Sequence, residues 1–94
     1  MRIFWLHRAV QDRQAQLDYI AQRNPHAALK QGDHLEGQIQ LLLQHPLMGR
    51  PGRVPGTREL VISKTPFVLV YRYHEARQRL EMLRLLHGSQ QWPP

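Results

Sequence analysis

The chain has 94 residues with a formal net charge of +6, a length that predicts one domain (residues 1–94) burying only about 60–65% of its unfolded surface in a thin core. It contains no cysteine, which excludes disulfide bonds and thiolate metal sites, and no apolar run approaches the roughly 20 residues of a membrane span. Because eleven of the thirteen basic residues are arginine, whose planar fork binds phosphate and carboxylate, the expected partner is anionic, either nucleic acid or an acidic polypeptide. The alternative is a generic basic surface that reflects only the arginine-rich composition.

The first residues favour a strand followed by a helix. Arg2–His7 is rich in β-branched and aromatic residues, which is typical of a strand. From Arg8 onward the periodicity of apolar residues becomes helical. The apolar stripe of this helix comprises Val10, Leu17, Ile20 and Ala21.

A second helix follows almost without a linker. Asn24 is a good N-cap and Pro25 suits the first helical position. The His45-Pro46 pair ends the helix, because the residue before a proline disfavours the α conformation. A glycine inside a helix costs about 1 kcal/mol relative to alanine, so Gly32 predicts close approach of the first helix. The apolar seam comprises Ala28, Gly32, Leu35, Ile39 and Leu42, and the two helices are expected to form a hairpin.

The stretch Gly49–Gly56 separates a helical half of the chain from a strand-like half. It contains three glycines and two prolines, which predict a connector without regular structure. Together with the start of the next strand it places three fixed positive charges along a short path, on Arg50, Arg53 and Arg58. We therefore expect a rigid, basic segment that contacts a partner.

Three strand-like segments complete the chain: Thr57–Ser63, Phe67–His74 and Arg79–His87. The short connections between them fit hairpins, and the apolar first half of the second segment places it at the centre of the sheet. The order β-α-α-β-β-β predicts an α+β fold, with the N-terminal strand and the helical hairpin packed on one face of a small, mainly antiparallel sheet. The opposite face would carry partly polar residues such as Arg72 and Arg84.

The sequence offers few groups for catalysis. The six histidines include no i, i+4 pair on a helix and no neighbouring carboxylate cluster, so neither a metal nor another cofactor is expected. The hydroxyl residues lie in no nucleophile motif, and the glycines in no phosphate-binding loop. Metal-independent RNA cleavage stays open, because a histidine can act as acid or base while cations neutralise the phosphate. The candidate residues for it are His87, Arg58, Arg72 and Arg84.

Three of these candidates also have an ordinary structural interpretation. His87, at the end of a strand, can make a single hydrogen bond to the backbone or to solvent. Arg72 and Arg84, on neighbouring strands, can form cross-strand ion pairs with Glu59 or Glu81. The residue types therefore permit catalysis without requiring it.

Five groups of residues form a pattern that extends over nearly the whole chain. They are Tyr19-Ile20-Ala21 with Asn24-Pro25 and Ala27-Ala28, Gly49-Arg50-Pro51-Gly52-Arg53, Gly56-Thr57-Arg58-Glu59-Leu60-Val61, Val70-Tyr71-Arg72, and Leu85-Leu86-His87-Gly88 with Trp92-Pro93. In this order and at these intervals they resemble the RelE/ParE superfamily of toxins from bacterial type II toxin–antitoxin modules. The resemblance implies a helical hairpin on a small antiparallel sheet. It also implies a cognate antitoxin, partly disordered when free, that folds along the toxin on binding.

The superfamily has two branches with different targets. RelE-like members cleave mRNA on the ribosome with basic residues of the sheet, whereas ParE-like members share the fold, lack that set and poison DNA gyrase. The positions that carry cations in the mRNA-cleaving members correspond here to Glu59, Val61, Val68 and Ser89. Because a valine can neither move a proton nor neutralise phosphate, the resemblance favours the gyrase-poisoning branch. The alternative is a ribosome-dependent mRNA endoribonuclease that uses His87, and a third interpretation is a degenerate toxin that only binds.

Because residues 1–6 do not read as a signal peptide and no membrane span is apparent, we expect a cytoplasmic protein with no membrane partner. The resemblance implies an inhibitor of growth in a hetero-oligomer with its antitoxin. The antitoxin would use the exposed edge or open face of the sheet together with the helical hairpin, and its acidic side chains would pair with the arginine-rich surface. The residues expected to contact the target or the antitoxin are Arg50, Arg53, Arg58, Arg72, Arg84 and Trp92.

Overall fold

The computed structural model describes all 94 residues and contains two helices and five strands. In chain order they are β1 (Arg2–Trp5), α1 (His7–Arg23), α2 (Pro25–Gln44), β2 (Arg50–Pro51), β3 (Arg58–Val61), β4 (Phe67–His74) and β5 (Arg79–His87). Neither helix is both long and apolar enough to cross a membrane.

The five strands form one sheet in the order β1-β5-β4-β3-β2. β1 runs parallel to β5, and the other three neighbouring pairs are antiparallel. β4 lies at the centre of the sheet, as its apolar first half predicts. Both helices contribute to a core shared with the strands. The predicted α+β fold, a helical hairpin on one face of a mainly antiparallel sheet, is therefore confirmed.

Asn24 joins the two helices without a loop. Its backbone N–H donates to Ile20 O at the end of α1, and its side-chain oxygen accepts a hydrogen bond from Ala27 N (3.1 Å) at the start of α2. Pro25 fills the first position of α2, where its missing N–H has no cost. The predicted capping at Asn24-Pro25 is confirmed, and it turns the chain sharply enough to make the helices antiparallel neighbours.

The structure corrects two predictions about the helical faces. Val10, predicted on the apolar stripe of α1, is 48% exposed, and the adjacent Ala9 is buried instead because its small side chain lets α1 lie close to β5. A Cβ at Gly32 would stand 3.9 Å from Leu17 Cδ1, which is an ordinary packing distance. The helical hairpin therefore does not require a glycine at that position.

One hydrophobic core lies between the helices and the sheet. α2 contributes Leu35, Ile39 and Leu42, each at most 2% exposed, and α1 contributes Ala9. Burial of such apolar surface stabilises a fold by about 25 cal/mol per Å². The sheet layer contributes Ile62, Phe67, Leu69, Tyr71, Leu80, Met82 and Leu85.

The connector is more regular than its prolines and glycines predict. Arg50 and Pro51 form β2, which pairs with the first two residues of β3 at the edge of the sheet. An edge strand tolerates a proline because the missing N–H can face solvent. Gly52 N then donates to Thr57 O (2.8 Å). The prediction that Gly49–Gly56 lacks regular structure is therefore wrong at its start.

The second face of the sheet has no helix packed on it and is here named the helix-free face. Side chains alternate between the two faces along a strand. Leu60 and Ile62 pack with the core, so Glu59 and Val61 lie on the helix-free face. With their register partners on the neighbouring strands, the residues of this face are Phe4, Glu59, Val61, Val68, Val70, Arg72, His74, Arg79, Glu81, Arg84 and Leu86.

Candidate functional site

Three residues on the helix-free face form the connector cluster: Arg50, Arg53 and Glu59. The Glu59 side chain has no exposed surface, because the connector folds over it. Arg53 donates to the carboxylate through its backbone N–H (2.9 Å) and through its guanidinium at 2.9 to 3.2 Å. Arg50 Nη2 adds a contact at 3.2 Å. These hydrogen bonds, above all those from the Arg53 side chain, lower the pKa of Glu59 to about 2.

The connector cluster thus uses a buried carboxylate to fasten the connector to β3. Its two guanidinium groups face one carboxylate, and the hydrogen bond to Glu59 raises the pKa of Arg53. The sequence predicts both arginines as freely exposed contacts, and the structure shows them partly engaged. Their outer surfaces remain accessible, with 60% of the Arg50 side chain and 47% of the Arg53 side chain exposed.

Tyr71 and Arg58 fix the beginning of the connector. The Tyr71 hydroxyl accepts from Gly49 N (2.9 Å) and donates to Pro46 O (2.8 Å), and burial raises the pKa of Tyr71. Arg58 Nη1 donates to Gly49 O at 2.7 Å. A Cβ on Gly49 would come within 2.7 Å of the Tyr71 ring and hydroxyl, so glycine is required. Arg58 therefore binds the start of the connector on the face of the sheet that carries the helices, whereas Glu59 binds the connector on the helix-free face.

A second group of charges, the hairpin cluster, lies where β4 turns into β5 and consists of Arg72, His74, Arg77, Arg79 and Glu81. Arg79 Nη2 and His74 Nε2 each lie 2.7 Å from a carboxylate oxygen of Glu81, and Arg72 Nη1 lies 3.8 Å from it. Hydrogen bonds from Arg79 and then from His74 lower the pKa of Glu81. The five side chains line a hollow of about 370 Å³, and none of them is apolar.

Arg84 is bound by a helix. Its Nε and Nη2 donate to the two carboxylate oxygens of Asp12 on α1 (2.7 and 3.2 Å), and its side chain is only 12% exposed. Asp12 also accepts from Leu85 N (2.9 Å). The Arg84 guanidinium lies over the Trp92 ring, 5.4 Å from its centroid. Arg84 and Trp92 therefore hold the C-terminal residues against the sheet.

The predicted cross-strand ion pairing is correct for Arg72 and wrong for Arg84. Arg72 is the register partner of Glu81 and contacts its carboxylate. Arg84 lies opposite Val70, and its guanidinium turns to α1 instead. No sequence signal links Arg84 to a residue 72 positions away, because that contact depends on how the helix packs on the sheet.

A groove between α1, α2 and the start of β4, here the α1–β4 groove, has a volume of about 340 Å³. Tyr19, Ile20 and Phe67 supply apolar surface to its wall. Two amide oxygens that also line it, Gln16 Oε1 and Gln31 Oε1, are buried without a hydrogen-bond partner. An occupant with apolar side chains and hydrogen-bond donors would complement this wall.

His87 borders the α1–β4 groove. Its Nδ1 lies 2.9 Å from Ser89 Oγ, and its backbone N–H donates to Gln90 Oε1 (3.2 Å). The residue is exposed at the end of β5 and makes only local contacts with the segment that follows.

The four ribonuclease candidates do not converge on one site. Arg58 holds the connector, Arg72 lies in the hairpin cluster, Arg84 is bound to α1, and His87 borders the α1–β4 groove. No group of three or more His, Asp or Glu side chains is arranged to hold a metal ion.

The strand residues that the resemblance matches to cations of the mRNA-cleaving members lie together on the helix-free face. Val61 is the register partner of Val68 and is 56% exposed. Glu59 lies two positions before Val61 and is covered by the connector. Ser89 lies after β5, where it contacts His87. Val61 and Val68 offer neither an acid nor a base, and the Glu59 carboxylate beside them is engaged by Arg50 and Arg53.

Comparison with known proteins places the chain among toxins. A family model described as "ParE toxin of type II toxin-antitoxin system, parDE" matches residues 3–92. The "Putative toxin Y4kP" of Sinorhizobium fredii is 35% identical over 92 residues, which span 98% of this chain and 93% of the relative.

Solved structures share the architecture. A chain of the "Chromosomal ParDE TA system from P. aeruginosa" superposes with a TM-score of 0.79 at 28% identity, covering 93% of this chain and 95% of that one. The "YoeB/ParE toxin from Agrobacterium tumefaciens" has the same fold, with a TM-score of 0.65 at 19% identity over 93% of this chain and 98% of that one. The similarity therefore extends over nearly the whole chain.

Proposed function

The chain belongs to the ParE toxin family of type II toxin–antitoxin systems, and we propose that it arrests bacterial growth by poisoning DNA gyrase and is neutralised by a cognate antitoxin. The main support is the chemistry of the helix-free face. Metal-independent RNA cleavage needs an acid, a base and cations around the scissile phosphate. Val61 and Val68, which pair on this face, are the residues that the resemblance expects where such cations would lie, and the Glu59 carboxylate beside them is buried and hydrogen-bonded. A surface of this kind suits binding to a protein target better than hydrolysis.

The α1–β4 groove is our proposed site for the antitoxin. Tyr19 is 59% exposed there, and the unpartnered Gln16 and Gln31 oxygens can accept hydrogen bonds. A segment that is disordered when free can fold into such a groove with apolar and donor side chains. The relative from P. aeruginosa is described as a ParDE TA system, which supports a partner of this type for the present chain.

Exposed positive charge lies on the helix-free face, away from this groove. Three of the six contact residues expected from the sequence have guanidinium groups there that anionic groups of the target can reach: Arg50, Arg53 and Arg72. The other three hold parts of the fold together, and we propose that they act indirectly, by fixing the connector and the C-terminal residues: Arg58, Arg84 and Trp92.

A supercoiling assay with purified gyrase tests the proposed target. With increasing amounts of this protein we expect supercoiling to stop and cleaved DNA to accumulate, and addition of the antitoxin should restore supercoiling. Normal supercoiling at a large molar excess of the protein would contradict the proposal.

A translation assay with ribosomes and mRNA tests the alternative target. We expect intact mRNA and continued translation, because the ribonuclease candidates lie apart. His87→Ala is the informative variant here, since it removes the one candidate acid or base. Cleaved mRNA with wild-type protein, and its disappearance with His87→Ala, would favour the ribosome-dependent endoribonuclease.

A further inference from the structure

The hairpin cluster holds more positive charge than its ion pairs neutralise. It contains three arginines and one glutamate, which leaves a net charge of +2 (3 − 1) when His74 is neutral. The glutamate is held mainly by Arg79 and His74. Arg72 approaches it only to 3.8 Å, and Arg77 makes no hydrogen bond or ion pair within the chain. Arg72 and Arg77 are therefore available to an anion.

Part of the cluster is fixed before any ligand arrives. Arg79 is bound to Glu81 at 2.7 Å, and its guanidinium lies over the Phe4 ring, 4.5 Å from the centroid. Its Nε is buried and has no hydrogen-bond partner. Because donors that are already ordered lose little conformational freedom on binding, Arg79 preorganises the hollow for an anionic group.

The lining of the hollow favours phosphate over an acidic peptide. Guanidinium forks bind both phosphate and carboxylate. A peptide that folds on binding also needs apolar surface to bury, and none of the five lining residues provides it. A nucleic acid backbone needs only cations placed along its phosphates.

We propose that the hairpin cluster binds the phosphodiester backbone of duplex DNA, with Arg72 and Arg77 as the phosphate ligands and with Glu81 orienting Arg79 beside them. This inference rests on the proposed function, because gyrase holds DNA. A toxin bound to gyrase would therefore lie close to a DNA duplex. The hollow lies on the helix-free face, away from the α1–β4 groove proposed for the antitoxin.

The test measures binding of the full-length protein to a labelled DNA duplex by fluorescence anisotropy at several salt concentrations. The variant is Arg72→Gln/Arg77→Gln, and the matched control is Arg8→Gln/Arg23→Gln on α1. Both reduce the net charge from +6 to +4 (6 − 2). We expect the hairpin variant to bind at least about tenfold more weakly at low salt, with a salt slope shallower by about one for each phosphate that it no longer binds. The control should stay close to wild type.

Two results would overturn the DNA site. Equal weakening in both variants would show that only net charge matters. Unchanged DNA binding in the hairpin variant, together with weaker binding of the antitoxin, would assign the cluster to an acidic peptide. Circular dichroism of both variants checks that the exposed substitutions leave the fold intact.

Together with the supercoiling assay, the DNA-binding test distinguishes a failure of the DNA site from a failure of gyrase as the target. Gyrase inhibition by a wild-type protein that does not bind DNA would contradict the DNA site alone. DNA binding that depends on Arg72 and Arg77, without any effect on gyrase, would support the site and contradict gyrase as the target.

Discussion

The connector cluster and the hairpin cluster contain the same types of charged residue but differ in the backbone structure around them. Each places one glutamate among arginines on the helix-free face. Glu59 has no exposed surface and accepts a backbone N–H as well as guanidinium groups, whereas Glu81 is 11% exposed and is contacted by side chains of already paired strands.

The comparison shows when an arginine is available for a ligand. Around Glu59 the arginines come from an irregular segment, so the carboxylate is needed to hold that segment on the sheet. Around Glu81 the backbone is fixed by strand pairing, and the cluster has more cations than the fold uses. We expect changes in the connector cluster to affect stability and changes in the hairpin cluster to affect binding.

Glu59→Gln should give the largest loss of stability. Removing one partner of a buried ion pair costs about 3–5 kcal/mol, and because Arg50 and Arg53 are half exposed we expect about 2–3 kcal/mol. Urea denaturation measures this loss. Glu81→Gln is the matched control and should lose less, about 1–2 kcal/mol, because this carboxylate is hydrogen-bonded only by side chains of strands that are already paired. Equal losses in the two variants would remove the distinction between the clusters.

Gly49→Ala should destabilise the protein by about 1–3 kcal/mol, because the new Cβ would collide with Tyr71 and overpack a filled site. Gly37→Ala provides the control: no atom lies within 4 Å of its added Cβ on α2, so it should gain up to about 1 kcal/mol from helix propensity. Thermal unfolding of both variants gives the comparison. A neutral Gly49→Ala would mean that the connector is not held as tightly as the Tyr71 hydrogen bonds indicate.

Acid should weaken the connector cluster. The pKa of Glu59 is about 2 in the fold against 4.5 for an ordinary glutamate, so the stabilisation is complete above pH 4.5 and is lost as the pH falls towards 2. The free energy of unfolding, measured from neutral pH down to about 2, should fall less steeply for Glu59→Gln than for wild type. The lowered pKa of Glu81 contributes in the same direction. If the two curves of unfolding free energy against pH ran parallel for wild type and Glu59→Gln, Glu59 would not have a lowered pKa in the folded protein.

Arg77→Gln should have the smallest effect on stability, within about 0.5 kcal/mol, because the side chain has no partner in the fold. Its effect should appear instead in the salt-dependent binding of duplex DNA. Arg53→Gln is the opposite case: it should lower the free energy of unfolding, since it removes most hydrogen bonds to Glu59. If Arg77→Gln destabilised the protein as much as Arg53→Gln, the hairpin cluster would be structural as well.

Local sequence features predicted the architecture well. The Asn24-Pro25 pair and the apolar periodicity around it define the helical hairpin, because capping and helical burial depend on neighbours within a few positions. β2 could not be predicted in this way. A two-residue strand that contains Pro51 exists only because β3 lies beside it.

The sequence predicted less about the functional surfaces than about the fold. The family resemblance drew attention to Glu59 and Val61, and the expected pairing of neighbouring strands allowed an ion pair of Arg72 with Glu59 or Glu81, of which the structure shows the second. The partner of Arg84, by contrast, lies on α1, and the α1–β4 groove is assembled from segments far apart in the chain.

The sequence by itself determined the order of the two helices and the four longer strands, the toxin family and the excess of positive charge, since these depend on residue types and their spacing. Only the tertiary structure decided which arginines are free. A charge is counted in the sequence, but its availability depends on the nearest carboxylate in space, and that distance is set by the packing of helices and strands. For this reason Arg84 is held by Asp12, Arg53 by Glu59, and Arg77 remains unpaired.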